Sequence, residues 1–249
     1  MQTVIPTTSA ALRSLLRGDF TAQWRNRRSV ILVVLVPVII LFAWKPIVAS
    51  VGGAFVLSNC ITIGLNAIGL MGYSNAIARD RDKGVFQRLR VAPTPSWCIM
   101  MSRLLVQLAM IIIVTLTVFI MGYYADKIVI SPIGYLTAMV MAIVGGALYL
   151  GLGQAIVGLV KNAETVNAVS RLVYFIFIMV GMFGQIGKSA ELIGNFVKWS
   201  PYGVVKDIVF TGLQPEKWNQ TTTISLLLTI GYTIVFAGIG IRNFKWNSK

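Results

Sequence analysis

The sequence predicts an all-α integral membrane protein with six transmembrane helices. Hydrophobic residues make up 56% of the 249 positions and charged residues only 12%, against about 25% charged in a typical soluble domain. Six apolar stretches reach or approach the roughly 20 residues that a helix needs to cross the hydrocarbon core. There are also 22 Lys and Arg against 8 Asp and Glu. In a chain this apolar, such an excess marks the loops that stay on the inner side of a membrane and does not call for nucleic acid as a partner.

The whole chain, 1–249, reads as one transmembrane domain that opens with a cytoplasmic amphipathic segment over 1–29. In "LRSLLRGDFTAQWRNRR", Leu12, Leu16, Phe20 and Trp24 recur every four residues and are joined by Leu15. Arg13, Arg17, Arg25, Arg27 and Arg28 form a basic flank. This pattern predicts a helix lying in the membrane interface. With five arginines and no apolar core in these 29 residues, no cleavable signal peptide is expected.

Spans 1–5 occupy 30–187. The first apolar run, "SVILVVLVPVIILFAW" at 29–44, stops short at Lys45-Pro46. It is expected to continue past the proline, with the Lys45 ammonium reaching to the interface. The second span is expected at 54–78, the third at 103–124, the fourth at 132–160 and the fifth at 165–187. Segment 188–221 follows as an external region with two apolar patches, near Phe196 and Val205, each too short to cross. Ser200 followed by Pro201 is a favoured helix start. The pattern fits re-entrant helices that shape an outer mouth, and equally helices lying flat on the outer leaflet. The sixth span is expected at 222–241, and 242–249 is a cytoplasmic tail.

Six spans place both termini on one side. Grouping the N-terminus, the 78–103 loop, the 161–171 region and the C-terminus collects 16 of the 22 Lys and Arg on one face. By the positive-inside rule that face is cytoplasmic, in an inner (plasma) membrane of bacterial type.

Reactive chemistry is sparse. There is no histidine, and neither Cys nor carboxylate residues cluster, so neither a metal nor a catalytic residue is expected. Cys60 and Cys98 fall near opposite ends of neighbouring spans and are expected to be free thiols. The eight carboxylates, Asp19, Asp80, Asp82, Asp126, Glu164, Glu191, Asp207 and Glu216, all fall in loops or at span ends. An ion-coupled secondary transporter keeps an ionisable group at membrane depth, so that reading is disfavoured. A membrane-embedded enzyme or assembly factor would need converging reactive side chains, and no such set is visible. The chain has no phosphate-binding loop of the G-x-x-x-x-G-K-[ST] type, so any nucleotide-driven work requires a separate polypeptide.

Within the spans, Asn59, Asn66, Gln107, Gln154 and Gln185 must face protein or a water-filled path, because exposing an amide to lipid is costly. They could line a translocation route or bond helix to helix. Ala147, Gly151 and Ala155 form two small-xxx-small steps, expected in internal packing. Arg171 and Glu164 share a helix face in the fifth span and are expected to pair. Asn219-Gln-Thr matches a glycosylation acceptor by chance.

The densest charge lies in "ARDRDKGVFQRLRVAPTP" at 78–95, with five basic and two acidic side chains. A short helix over 81–89 would gather Val85, Phe86 and Leu89 on one side, with Lys83, Gln87, Arg88 and Arg90 around the rest. Pro93 and Pro95 end it. Phe86 is expected to anchor a soluble partner. A basic loop resting on anionic membrane lipids is the plainer alternative.

The run "ARDRDKGVFQRLRVAPTPSWCIMMSRLL" resembles the signature of the ABC-2 family of ATP-binding-cassette transporter permeases, with Asp80, Lys83, Gly84, Arg88, Leu89 and Pro93 on its pattern. The Arg-rich N-terminal segment and "WSPYGVVKDIVF" before the last span extend the likeness over the chain. Arg79 departs from it, standing where many members carry an acid. The resemblance implies a transport subunit that is not itself an enzyme and binds no cofactor. It implies two copies of a partner ATPase subunit that carry ATP and Mg, and a second permease subunit, either an identical copy or a sister protein. It implies an exporter, in a family whose members move drugs, peptides, lipids or glycans. It also implies that 79–90, with Arg79, Asp80, Arg81, Asp82, Lys83, Gly84, Val85, Phe86, Arg88 and Leu89, is the coupling helix that docks on the ATPase. The 1–29 helix would help form the surface facing that ATPase.

Overall fold

The computed structural model describes residues 8–25, 27–90, 96–183 and 188–244. Among them there is no strand. Helix α1, Thr8–Arg25, packs on the start of the third span. It buries Ala11, while Phe20 and Trp24 remain 43% and 65% exposed. The Leu12, Leu16, Phe20, Trp24 stripe is therefore half-buried at its start and open at its end.

The first span is α2, Arg27–Trp44, continued through a single 3-10 turn, Lys45–Ile47, into the short α3, Val48–Val51. Pro46 sits in the 3-10 turn, where its missing N–H and its ring break the ladder without ending the span. The extension expected beyond the proline is present. Gly52, at φ +87°, then reverses the chain in one residue, in a conformation that any Cβ would strain.

Span 2 is a continuous rod of 30 residues, Gly53–Asp82, made of α4 (Gly53–Ala67), a π-helical segment Ile68–Tyr73 and α5 (Ser74–Asp82). It is the most buried of the spans and forms the axis of the bundle. At 1.5 Å per residue it is about 45 Å long, whereas the hydrocarbon core is about 30 Å. Its charged last turns therefore project beyond the apolar layer at the basic end. A turn at Lys83 and Gly84 leads to α6, Val85–Arg90, and Gly84 adopts φ +66°, a left-handed value natural only to glycine. The helix expected at 81–89 is thus split. Its first two residues complete the membrane rod, and a separate short helix starts only after the glycine.

The remaining long helices are α7 (Ser96–Asp126), α8 (Pro132–Leu159), α9 (Ala163–Phe183) and α12 (Gln220–Asn243). Asn219 caps α12, its Oδ1 accepting from the Thr222 N–H at 3.0 Å, which gives the chance glycosylation match a structural role. Between α9 and α12 stands a helical hairpin, α10 (Lys188–Trp199) and α11 (Pro201–Leu213). Ser200 caps α11 through Gly203 N–H at 3.1 Å, as its place before Pro201 predicts. The two arms differ. Phe196 of α10 is 77% exposed, while Tyr202, Val204, Val205, Ile208 and Val209 of α11 are fully buried against α4, α8 and α12. Helix α11 enters the bundle, so the flat alternative fails for this arm.

The closest helix approaches use glycine. A Cβ on Gly158 of α8 would stand 2.6 Å from the Gly240 carbonyl oxygen of α12. Ala147, Gly151 and Ala155 lie on the same α8 run, and a Cβ on Gly151 would meet the Thr233 carbonyl oxygen at 3.2 Å. Gly231 has open space around it. Gly158→Val should therefore cost about 1–3 kcal/mol and lower the apparent Tm of the detergent-solubilised chain by several degrees, while Gly231→Ala leaves it unchanged. A thermal-shift series checks both. Exposed apolar side chains such as Leu136, Leu172, Phe175 and Ile234 lie on the outer faces of the long helices, where acyl chains would cover them.

Candidate functional site

The basic end gathers four elements around the tail of span 2: α1, α6, the start of α7 and the end of α8. Arg81 is the centre of this junction. Its side chain is 2% exposed and its guanidinium points back into the bundle, donating from Nη1 to the Val157 carbonyl at 2.8 Å. Nη2 donates to the carbonyls of Val160 at 2.8 Å and Lys161 at 2.5 Å. These are carbonyls at the end of α8, which have no acceptor role within the helix and sit at the negative end of its dipole. Arg81 therefore bolts the second span to the fourth. This corrects the expectation that it faces a partner: on α5, Arg81 lies toward α8, and the charge that a loop would show to solvent is used inside.

Asp80 is likewise turned inward. Its Oδ2 stands 2.6 Å from Nη1 of Arg103 on α7, and Nε of the same arginine is 3.1 Å from Oδ1 of Asp19 on α1. The Ser102 hydroxyl donates to the other Asp19 oxygen at 2.5 Å. Burial pushes the Asp19 carboxyl above the usual carboxylate range, and Arg103 and the Ser102 hydroxyl oppose that shift. One arginine thus holds carboxylates from two other elements, tying the interfacial helix, the second span and the third span at one point.

Phe86 is the second correction. Expected as an exposed anchor, it is fully buried, edge-on to Phe244 at 5.8 Å between centroids, with the Arg103 guanidinium 6.0 Å from its ring centre. Because Gly84 restarts the helix, Phe86 sits in the first turn of α6 and turns toward the end of the sixth span. The residues that remain exposed are Arg79, Asp82, Lys83 and Gln87, with Gly84 and Val85 half-buried. Arg88 and Leu89 belong to α6, but their side chains, with Pro93, lie outside the described residues.

Of the polar residues expected inside the spans, two bond helix to helix. Asn59 accepts from the Tyr202 hydroxyl of α11 at 3.0 Å and gives its amide to the Phe55 carbonyl at 2.9 Å. Gln154 accepts from the Tyr73 hydroxyl at 2.8 Å. Asn66 is fully buried with neither end of its amide partnered, and Gln107 is 4% exposed with Oε1 unpartnered. Gln185 lies outside the described residues. No ion pair joins Arg171 to Glu164, whose side chains are both exposed. Seven residues make two helical turns, about 10.5 Å of rise, which is beyond reach of a contact pair. Cys60 and Cys98 are buried free thiols. Asp207, expected in a loop, lies on the inserted α11, and Asp126 is almost fully enclosed at the end of α7, 3.9 Å from Lys45.

Asp19, Ser102, Arg103 and Phe244 were not expected at the junction. A faint signal existed for two of them. Asp19 is the single acid among the five arginines of the first 29 residues, and Arg103 is the last charge before a long apolar run. An isolated charge at such a boundary needs a partner.

A family model described as ABC-2 type transporter matches residues 10–205, from α1 through the junction at the basic end into α11. No curated protein matches the chain.

Proposed function

The chain belongs to the ABC-2 type transporter family and is a multi-pass permease component, and from that premise we propose that it works as an exporter subunit driven by a separate ATPase. Two ATPase copies, carrying ATP and Mg, would grip the basic end of a pair of permeases, either identical or sister chains. Both termini would then be cytoplasmic, in a bacterial plasma membrane. The substrate would be a drug, peptide, lipid or glycan-type molecule, and nucleic acid has no part in the reading.

One observation carries the proposal: the exposed face formed by Arg79, Asp82, Lys83 and Gln87 stands on a base that cannot move alone. Directly behind it, Arg81 holds the end of α8. Asp80 and Arg103 hold α7 and α1, and Phe86 holds the end of α12. A push on that face is thereby shared by spans 2, 3, 4 and 6 and the interfacial helix, and is not dissipated in loop motion. Helix α5, the last part of the span 2 rod, carries the displacement toward the π-helical segment Ile68–Tyr73, where the helix ladder is widened.

Phe86 contributes from within, as a fastener of α6, and does not contact the ATPase. Asp82→Lys alters the exposed face and breaks none of the hydrogen bonds that fasten it, removing only the electrostatic support that Asp82 gives Arg81, so it should lower ATP turnover of the complex several-fold with at most a small fall in the permease Tm. ATP hydrolysis by the purified complex, measured beside thermal stability, tests this. Unchanged turnover would remove Asp82 from the contact.

A further inference from the structure

A cleft of about 280 Å³ opens at the basic end between α1, the end of span 2 and the start of span 3. Its exposed lining includes Arg25, Arg79 and Lys83, and its buried lining is Tyr73, Ile77, Val106 and Gln107. The cleft also takes in Asp19, Asp80 and Arg103, but these three are already ion-paired with one another. Among the described residues, Arg25, Arg79 and Lys83 have no carboxylate within ion-pair distance. Uncompensated positive charge therefore rims the opening.

At the floor, Gln107 is 4% exposed and its Oε1 lacks a partner. A primary amide presents either an acceptor or an NH2 donor by a half turn, so this group can be satisfied by an oxygen that enters the cleft. The mouth lies at a definite depth. Arg25 follows Trp24, which is 65% exposed on the interfacial helix, and exposed tryptophan on such a helix settles among lipid headgroups. A cationic cleft at that depth, with an unsatisfied amide at its base, meets one abundant anion, the phosphate of a membrane lipid.

We propose that this cleft binds the phosphate headgroup of an anionic phospholipid from the leaflet in which α1 lies, so that the lipid wedges α1 against spans 2 and 3. Arg79 and Lys83 also stand on the face proposed for the ATPase, so the lipid would hold them in the free permease, and the test uses the permease alone.

The test uses the full chain alone, reconstituted in nanodiscs of mixed phosphatidylglycerol and phosphatidylcholine, re-extracted in mild detergent and analysed by native mass spectrometry. Retained phosphatidylglycerol should fall at least about fivefold in the Arg79→Gln, Lys83→Gln double variant, since each surface cation contributes roughly that factor. Arg13→Gln with Arg17→Gln, on exposed positions of α1 outside the cleft lining, should leave it unchanged. Gln107→Leu, which alters no charge, should give a partial loss. Full retention in the double variant would overturn the proposal. An equal loss in the Arg13, Arg17 variant would do so too, by showing diffuse attraction to the basic surface. Millimolar inorganic phosphate should fail to displace the retained lipid, and displacement would assign the cleft to free phosphate.

Discussion

Arg81→Met should lower the apparent Tm of the detergent-solubilised chain by about 6–12 °C, the equivalent of about 3 kcal/mol in a chain of this length. Methionine keeps much of the stem volume and good helix propensity, so the loss isolates the guanidinium. Three carbonyls at the end of α8, those of Val157, Val160 and Lys161, lose their donor at once. Arg81 is only 2% exposed and its bond to the Val157 carbonyl is buried, so solvent does not replace that donor, while the part-buried carbonyls of Val160 and Lys161 are compensated in part by water. Arg81→Lys should recover only part of the stability, because an ammonium is a compact point donor and cannot reproduce the fork that spans carbonyls three to four residues apart. A thermal-shift comparison of the two variants checks this. If both equal the parent, the bolt between the second and fourth spans does not exist.

Phe86→Ala should cost about 3–5 kcal/mol, as expected when a buried aromatic side chain is truncated to a methyl. Its ring is enclosed by Phe244 and the Arg103 guanidinium, and the cavity left behind would loosen α6 from the sixth span. Phe86→Leu refills most of that volume and should restore most of the stability. In the assembled complex, the alanine variant should lose ATP-driven coupling together with stability, whereas a surface contact would lose coupling alone. Measuring Tm and ATP turnover on the same preparation separates the two. A Phe86→Ala protein of unchanged Tm would return Phe86 to the partner-facing surface.

The spans were legible because crossing a bilayer imposes length and hydropathy on local sequence, and every backbone group must be satisfied within its own helix. That is why the fourth and sixth runs, expected at 132–160 and 222–241, fall within two residues of α8 and α12 with no knowledge of their neighbours. The junction was less legible because its chemistry is tertiary. Nothing in "RDRDKGVFQRL" distinguishes Arg79, which remains in solvent, from Arg81, which is enclosed. The two positions lie about 200° apart on one helix, and only the position of α8 decides which of them is buried. Gly84 carried the information that the helix is interrupted, yet glycine alone does not say whether a chain turns or continues. The π-helical segment at Ile68–Tyr73 was hidden for a similar reason, since its widened turn accompanies the close approach of Gly69 to α8. Length left α11 open between an inserted and a flat helix. Thirteen residues cannot span, but they can be buried when other helices surround them.

The most direct test of the account is purification of the tagged full chain from its native membrane in mild detergent, followed by measurement of ATP hydrolysis across the eluted peak. The account predicts that hydrolysis co-elutes with the permease in fixed proportion and falls with Asp82→Lys at unchanged permease yield. A well-folded permease that elutes in full yield with no ATP hydrolysis would contradict it.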